Sequence, residues 1–341
     1  MKKIFSFVVC AIFVLGLSAC GGSKTATDCK TTAVLITDKT GVNDRSFNQG
    51  AYEGLQRFAE DFKDKGACNA EAIQSNAEAE YVNNITSVSG KDNQLVVTAG
   101  FTFAEPLAEV AKNFPDQKYL IIDTELKADN VVSADFAANE GSFLAGVAAA
   151  EKAKSESKNK VGFIGGVQSP VIKGFEVGYV QGVKAVDPNM QIDIKYVGSF
   201  TDSTKGKTLA MQMYGDGSYV IFVAAGGAGN GVISSAIELV RDQNKDVWVI
   251  GVDRDQYEDG KYGDKSVVLT SMVKRADVAS YDVAKSVMDG TFVGGKTLKY
   301  NLKDGGVGLP DKNPNLSEAI MKVVNDYKEK IINGEIKVAT K

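Results

Sequence analysis

Short runs of β-branched and apolar residues alternate along the chain with longer stretches whose apolar positions recur every three or four residues. Residues 32–37 form the first apolar run, and residues 48–63 then place Leu55, Phe58 and Phe62 at helical spacing. Buried strands that alternate with amphipathic helices are typical of parallel sheets built from right-handed crossover connections. The pattern therefore predicts an α/β protein.

The same criterion assigns elements to most of the chain. Strands are predicted at residues 32–37, 70–75, 94–98, 119–123, 131–134, 160–164, 193–197, 219–224, 247–252 and 267–272. Helices are predicted at residues 48–63, 103–113, 140–154, 174–186, 203–215, 232–242, 277–290 and 316–332. The charged segment 151–160 is predicted to end a helix and form a surface loop. Because these strands are too many for one compact sheet, we expect two α/β lobes about a cleft.

The start of the chain predicts export. Two lysines precede an apolar run that ends at Leu17, and this run is shorter than the about 20 residues that a bilayer-spanning helix needs. Leu17-Ser-Ala-Cys20 then matches a lipobox, in which small residues admit a peptidase before the cysteine that receives the lipid. We therefore predict a signal peptide at residues 1–19, acylation of Cys20 and a flexible tether at residues 20–30. The alternative is an uncleaved signal anchor with a chance cysteine.

The charge balance excludes one class of partner. Removing residues 1–19 from the 341-residue chain leaves 322 residues, which carry 37 basic and 43 acidic side chains. This mild negative charge argues against nucleic acid, since phosphate binding needs clustered basic residues. The length suits two domains of roughly 150 residues each.

The chain contains no histidine, which removes the commonest general base, the Ser/His and Cys/His nucleophile pairs and imidazole-ligated zinc. No segment matches the calcium-loop pattern. The glycine-rich residues 226–231 lack dinucleotide-binding spacing, and Gly206-Lys-Thr208 lacks the first glycine of a P-loop because Thr201 stands there. We therefore predict a protein that is not an enzyme and that needs no metal or cofactor.

Two of the four cysteines remain after Cys10 leaves with the signal peptide and Cys20 is acylated. Cys29 and Cys68 each precede a predicted strand. If those strands are parallel neighbours, both cysteines lie at the same edge of the sheet, where a disulfide suits an exported protein. The alternative is a pair of free, buried thiols.

Candidate binding residues follow the predicted strands. In open parallel sheets, ligands gather at the carboxyl ends of the strands. The polar, aromatic and glycine residues at those ends are Asp38, Asp123, Phe200, Gly226, Gly227, Asp253 and Lys274. Carboxylates accept hydrogen bonds from hydroxyls and ring N–H groups, and aromatic faces stack on flat rings, so the set suits a neutral, hydroxylated, ring-bearing ligand. Each of these residues taken singly has a simpler alternative explanation, in which the Asp caps a helix, the Phe belongs to the core and the Lys is a surface charge.

Several of these segments together resemble the basic membrane protein family of lipoproteins. They are residues 44–54, 138–146, 161–166, 196–202, 224–231, 247–253 and 269–274. They stand in family order and cover most of residues 33–290. The chain departs from the family at residues 39–43, where many relatives carry paired glycines and a further acid.

The resemblance implies a type I periplasmic-binding-protein fold, in which two Rossmann-like lobes with parallel sheets are joined by three crossovers. It places residues 31–137 and about 275–300 in an N-terminal lobe. Residues 138–274 and the C-terminal segments form the other lobe.

The resemblance also implies how a ligand is held between the lobes. Two rings sandwich a base, an amide and a carboxylate bind the edge of the base, and a carboxylate and a lysine hold ribose hydroxyls. These are, in that order, Phe47 and Phe200, Asn48 and Asp123, and Asp253 and Lys274, with backbone help from Gly227 and with Asp38 lining the same pocket.

The family's members include purine nucleoside receptors that feed ABC importers. The resemblance therefore implies a lipid-anchored protein on the extracytoplasmic face of the cell membrane. It would bind inosine, guanosine or adenosine and deliver the ligand to permease and ATPase subunits. Two alternatives stay open from the residues alone, a binding protein for a sugar or other small metabolite and a nucleoside hydrolase that uses Asp residues.

Overall fold

The computed structural model describes residues 29–91 and 94–341, so the predicted signal peptide, Cys20 and most of the tether lie outside the described residues. The strands are β1 (Thr32–Thr37), β2 (Glu71–Gln74), β3 (Gln94–Ala99), β4 (Lys118–Ile122), β5 (Val131–Phe136), β6 (Lys160–Gly165), β7 (Gln191–Tyr196), β8 (Val220–Ala224), β9 (Trp248–Asp253), β10 (Lys261–Tyr262), β11 (Lys265–Ser266), β12 (Val268–Lys274), β13 (Thr297–Tyr300) and β14 (Val307–Gly308). The helices are α1 (Phe47–Asp61), α2 (Tyr81–Val88), α3 (Ala104–Asn113), α4 (Ala138–Ser155), α5 (Pro170–Val186), α6 (Ser203–Gly215), α7 (Gly229–Gln243), α8 (Ala276–Met288) and α9 (Glu318–Ile332).

The strands form two six-stranded sheets and one small hairpin. The first sheet has the order β13-β5-β4-β3-β1-β2, and all of its strands are parallel. The second has the order β14-β12-β9-β8-β6-β7 and is parallel except for β14. The predicted α/β class with parallel sheets is confirmed. We call each sheet with its helices the first and second lobe.

Each sheet is covered by helices on both faces, as strand β1 shows. Val34 and Ile36 pack with Ile85 of α2, whereas Leu35 packs on the opposite face with Leu55 of α1. A strand that is buried on both faces has apolar residues at consecutive positions rather than at alternate ones. This is why residues 32–37 form a continuous apolar run in the sequence.

Helix α4 is the central helix of the second lobe and is buried on nearly all sides. It packs against α5 with very close backbones, because a Cβ at Gly178 would lie 2.1 Å from the carbonyl oxygen of Asn139. A Cβ at Gly182 would lie 2.0 Å from the carbonyl oxygen of Phe143. Only glycine permits this approach, and the many alanines of α4 serve the same close packing.

The chain crosses between the lobes three times, from β5 to α4, from β12 to α8 and from β13 to β14. The predicted number of crossovers is therefore confirmed. Helix α8 packs against α1 of the first lobe, and α9 packs against α4 of the second. The strands that these crossings leave or enter, β5 and β13 in the first sheet and β12 and β14 in the second, are the outer pair at one edge of each sheet.

Some elements differ from the sequence-based prediction. Helix α2 was not predicted, because it is short and its three buried side chains stand among Asn, Thr and Ser. Helix α5 begins at Pro170 rather than at residue 174, since Ser169 accepts a hydrogen bond from the amide of Ile172 and caps it. Strands β13 and β14 are short, which weakens their alternation signal.

Within the described ranges, no helix is both long and apolar enough to cross a membrane. The structure joins Cys29 and Cys68 in a disulfide, with their Cα atoms 5.6 Å apart. The two cysteines lie at the amino ends of the parallel pair β1 and β2, where Thr31 and Ala67 also form a bridge. The disulfide therefore ties the beginning of the described fold to the edge strand of the first sheet.

We expect the double variant Cys29→Ala/Cys68→Ala to lower the free energy of unfolding by about 3–4 kcal/mol, because the bond spans a sequence separation of 39 residues and restricts the unfolded chain. Urea denaturation of the chain from Gly21 onward measures this. Reductant should lower the midpoint of the unsubstituted protein to that of the variant and leave the variant unchanged. Equal stability of the two proteins without reductant contradicts the prediction.

Candidate ligand-binding site

A cavity lies between the lobes, at the carboxyl ends of the strands of both sheets. Its empty volume, including the mouth, is about 630 Å³. The position is the one that open parallel sheets offer to ligands.

All eight residues proposed as ligand contacts from the sequence line this one cavity. They are Asp38, Phe47, Asn48, Asp123, Phe200, Gly227, Asp253 and Lys274. The first four belong to the first lobe and the last four to the second. The structure thus brings the whole set together from both lobes, whereas Cys20, the predicted acylation site, falls outside the described residues.

Lys274 is the electrostatic centre of the cavity, and its side chain is only 3% exposed. Its Nζ lies 2.5 Å from Oδ2 of Asp123 and 3.3 Å from Oδ1 of Asp253. Burial alone would lower the pKa of Lys274, but the two carboxylates outweigh it and raise that pKa above its usual value. Burial raises the pKa of Asp123, and Lys274 offsets part of this rise. With both carboxylates ionised, the three groups carry a net charge of −1.

The two carboxylates occupy equivalent positions in the two lobes. Asp123 follows β4 and Asp253 ends β9, and both have φ of 69°. This left-handed backbone conformation is uncommon outside glycine, although Asp tolerates it better than most residues. Such conformations persist only where the surroundings hold them, and they cluster at ligand sites.

The amino end of α1 carries Phe47 and Asn48 into the cavity. Asp44 caps this helix, since its carboxylate accepts hydrogen bonds from the backbone amides of Ser46, Asn48 and Gln49 at 2.9–3.0 Å. Burial nevertheless raises the pKa of Asp44 to about 6. The helix start is therefore fixed by a carboxylate that itself lines the cavity.

Asn48 and Asp38 form a network at the first-lobe wall. Asn48 Nδ2 donates to Asp38 Oδ1 at 2.9 Å and to the carbonyl oxygen of Gly41 at 3.1 Å. Asp38 Oδ1 also accepts from the backbone amide and the hydroxyl of Thr40. Within the described part of the chain, no donor reaches Asn48 Oδ1 or Asp38 Oδ2. These two atoms remain as acceptors for a ligand.

Four phenylalanine rings supply the apolar part of the wall. Lys274 Nζ lies 4.2 Å from the ring centroid of Phe47 and 5.3 Å from that of Phe175, which places a cation against both rings. Phe101 of the first lobe meets Phe200 of the second edge to face, with ring centroids 6.1 Å apart. The rings therefore come from both lobes.

Sequence reasoning missed several lining residues. Phe101 and Thr102 directly follow β3, so the rule that selected the other strand ends would have found them. Ile172 and Phe175 lie in the first turns of α5, and the late predicted start of that helix concealed the first of them. The Ser169-Pro170 pair is the signal that marks the true start.

The arrangement is suited to binding neutral molecules that donate hydrogen bonds. Acceptor oxygens are plentiful, while the amine of Lys274 is already engaged by two carboxylates. In residues 29–91 and 94–341, no group of three or more His, Cys, Asp or Glu side chains is placed to hold a metal ion. The absence of a cofactor stays a prediction.

Gly227 of the second lobe is in close contact with Thr40 of the first-lobe loop at residues 39–43. A Cβ at Gly227 would lie 2.6 Å from Thr40 Cγ2. We therefore expect Gly227→Ala to hold the lobes apart, which lengthens the distance between spin labels attached at one exposed position in each lobe. The labels are attached to introduced cysteines in the chain from Gly21 onward. The two native cysteines of that chain are bonded to each other and therefore take no label.

A second substitution tests whether the contact with Thr40 Cγ2 is what holds the lobes apart. Thr40→Ser removes Cγ2 but keeps the hydroxyl that donates to Asp38, so the double variant should regain the short interlobe distance. Unchanged distances in Gly227→Ala, or no recovery in the double variant, contradict the prediction.

Comparison with known proteins agrees with this geometry. The model of the Bmp family, described as "ABC transporter substrate-binding protein PnrA-like", matches residues 31–341. A Listeria innocua protein named "CD4+ T-cell-stimulating antigen" is 42% identical over 357 aligned positions, which cover 100% of this chain and 99% of that protein. The Lactococcus lactis "ABC transporter nucleoside-binding protein BmpA" is 43% identical over 328 positions, which cover 93% of this chain and 91% of that protein.

The fold is also that of a solved ABC transporter solute-binding protein from Aeropyrum pernix K1. That structure aligns with a TM-score of 0.80 and 28% identity, covering 91% of this chain and 94% of that chain. The predicted type I binding-protein fold is confirmed. The chain belongs to the Bmp family of ABC transporter substrate-binding proteins.

Proposed function

We propose that this substrate-binding protein captures a purine nucleoside in the interlobe cleft and presents it to an ABC importer. The observation that carries the proposal is a cavity that combines phenylalanine rings from both lobes with acceptor oxygens and one neutralised lysine. The name of the Lactococcus lactis relative, a nucleoside-binding protein, points the same way.

The rings account for the base. Phe47 and Phe200 belong to opposite lobes, so a planar base between them would stack on one ring from each. The free acceptors Asp38 Oδ2 and Asn48 Oδ1 suit N–H donors on the edge of the base. A sugar alone offers no flat aromatic face to these rings.

The charges in the cleft favour a ligand that has ribose hydroxyl groups but no phosphate group. Asp253 can accept from ribose hydroxyl groups while it holds Lys274, and Asp123, the other partner of Lys274, stays the carboxylate that the resemblance implies at the edge of the base. A phosphate group brings further negative charge into a cleft that already contains four Asp carboxylates and one engaged amine. The cleft therefore favours nucleosides over nucleotides.

Closure links binding to delivery. Because both lobes contribute contacts, the ligand stabilises the closed arrangement over the open one. A permease that recognises the closed arrangement receives loaded protein. We propose that the nucleoside is released unchanged, since the described cavity offers no imidazole or metal cluster to break its glycosidic bond.

Titration calorimetry tests the ligand class. We expect inosine, guanosine or adenosine to bind, and the matching nucleoside monophosphates to bind at least about tenfold more weakly, equivalent to about 1.4 kcal/mol. Chromatography of the mixture after incubation should recover intact nucleoside. No heat with any purine nucleoside refutes the proposal, binding of arabinose or another sugar instead favours a sugar receptor, and release of free base favours a hydrolase.

A matched pair of variants tests the stacking. Phe200→Leu keeps an apolar side chain but removes the ring, so purine affinity should fall about two- to tenfold. Phe62→Leu replaces a half-buried ring outside the cavity and should leave affinity unchanged.

We further propose that acylated Cys20 anchors the protein on the extracytoplasmic face of the cell membrane. The support is the lipobox and the predicted flexible tether at residues 20–30. Lipid chains add binding energy for each buried methylene, so several chains on one cysteine hold a protein without a spanning helix. Cys20→Ala should move the protein from the membrane fraction to the soluble fraction, whereas membrane retention of that variant contradicts acylation at this residue.

A further inference from the structure

We propose that the lobes are held together by a latch of protein hydrogen bonds whose two amide donors, Asn230 and Gln256, do not line the ligand cavity. The latch joins residues 44–46 of the first lobe to Asn230, Asp253 and Gln256 of the second. Asn230 Nδ2 donates to the carbonyl oxygen of Asp44 at 2.8 Å, Gln256 Nε2 donates to that of Arg45 at 2.8 Å, and Ser46 Oγ donates to Asp253 Oδ2 at 2.5 Å.

The first-lobe half of the latch is a rigid turn. Arg45 has φ of 57°, a left-handed conformation that non-glycine residues adopt rarely. The carboxylate of Asp44 holds the turn from inside, through the amides of Ser46, Asn48 and Gln49. Three consecutive residues can therefore each offer a polar group to the opposite lobe.

On the second-lobe side of the latch, Gln256 is held by residues of its own lobe. Gln256 is 2% exposed, and its side-chain Oε1 accepts a hydrogen bond from the backbone N–H of Val252 at 2.8 Å. The backbone N–H of Gln256 donates to Ser271 Oγ at 3.0 Å. Asn230 stands in the first turn of α7. Because Gln256 is held by its own lobe, the hydrogen bond that it makes to the turn costs little further ordering.

Asn230 and Gln256 do not line the cavity, yet the turn they hold leads directly into Phe47 and Asn48. They are therefore positioning residues, which set where the first-lobe ligand groups stand relative to the second lobe. Ser46 has a related effect, because its hydrogen bond orients Asp253 only when the lobes meet. The apparent affinity for the ligand rises with the fraction of the protein whose lobes are already in the closed, binding-competent arrangement.

The rim of the cleft contains two further interlobe contacts of a different kind. Arg254 pairs with Glu53 at 3.0 Å and Arg45 with Asp259 at 3.8 Å, and all four side chains are partly exposed. Exposed ion pairs contribute little and are screened by salt. The buried hydrogen bonds of the latch involve mostly neutral groups, so the contribution of Asn230 and Gln256 to closure should be insensitive to salt.

Small-angle X-ray scattering of the ligand-free chain from Gly21 onward tests the latch directly. Asn230→Ala/Gln256→Ala should increase the radius of gyration at both low and high NaCl. Gln243→Ala, which removes an exposed amide at the other end of α7, should not. An unchanged radius in the double variant overturns the proposal.

A second variant serves if the double variant fails to fold. Asn230→Asp keeps the size of the side chain but places an acceptor against the carbonyl oxygen of Asp44, so it too should open the lobes. A radius equal to that of the unsubstituted protein for the folded Asn230→Asp variant also overturns the proposal.

Ligand dissociation kinetics extend the test. This experiment, unlike the scattering experiment, rests on the proposed nucleoside function. With inosine as the probe, the dissociation rate should rise about two- to tenfold for each latch hydrogen bond removed. An unchanged dissociation rate in the open variant counts against a role of the latch in binding. If the unsubstituted protein does not bind inosine, the proposed function fails, while the scattering result still decides the latch.

Discussion

The burial of Lys274 between two carboxylates is the constraint on which the cleft depends. A charge this far from water must be paired, and removing one partner of such a buried pair typically costs about 3–5 kcal/mol. Lys274 ends β12, immediately before the chain crosses back to the first lobe, so its partners come from both lobes. The same pairing occupies the only amine among the residues that line the described cavity, which leaves the walls dominated by acceptors.

A second constraint is concentrated in one turn. Residues 44–46 contain the carboxylate that caps α1, a left-handed residue and the hydroxyl that reaches Asp253. The next two residues, Phe47 and Asn48, face the cavity. Helix capping, interlobe contact and ligand contact therefore depend on the same short segment, so a change in one is transmitted to the others.

The sequence was sufficient to predict the features that depend on local hydrophobic patterns or on the positions of strand ends. Consecutive apolar residues identified the parallel strands, and the strand-end rule together with the family resemblance located the eight residues that surround the cavity. The interlobe contacts were beyond reach, because Asn230 and Gln256 lie 186 and 211 positions from their partners and no local periodicity marks them. Ile172 required the exact start of α5, and element boundaries are what sequence patterns define least well.

The latch and the cavity act on closure in opposite directions when no ligand is present. Hydrogen bonds between the lobes favour the closed arrangement, whereas closing an empty cleft over Asp38 Oδ2 and Asn48 Oδ1, to which no described residue donates, carries a free-energy cost. A ligand removes that cost by donating hydroxyl and N–H groups, so it shifts the balance only by its own preference for the closed arrangement. Protein contacts thus hold part of the ligand-free population closed, while the two free acceptor atoms leave the rest of the shift towards the closed arrangement to the ligand.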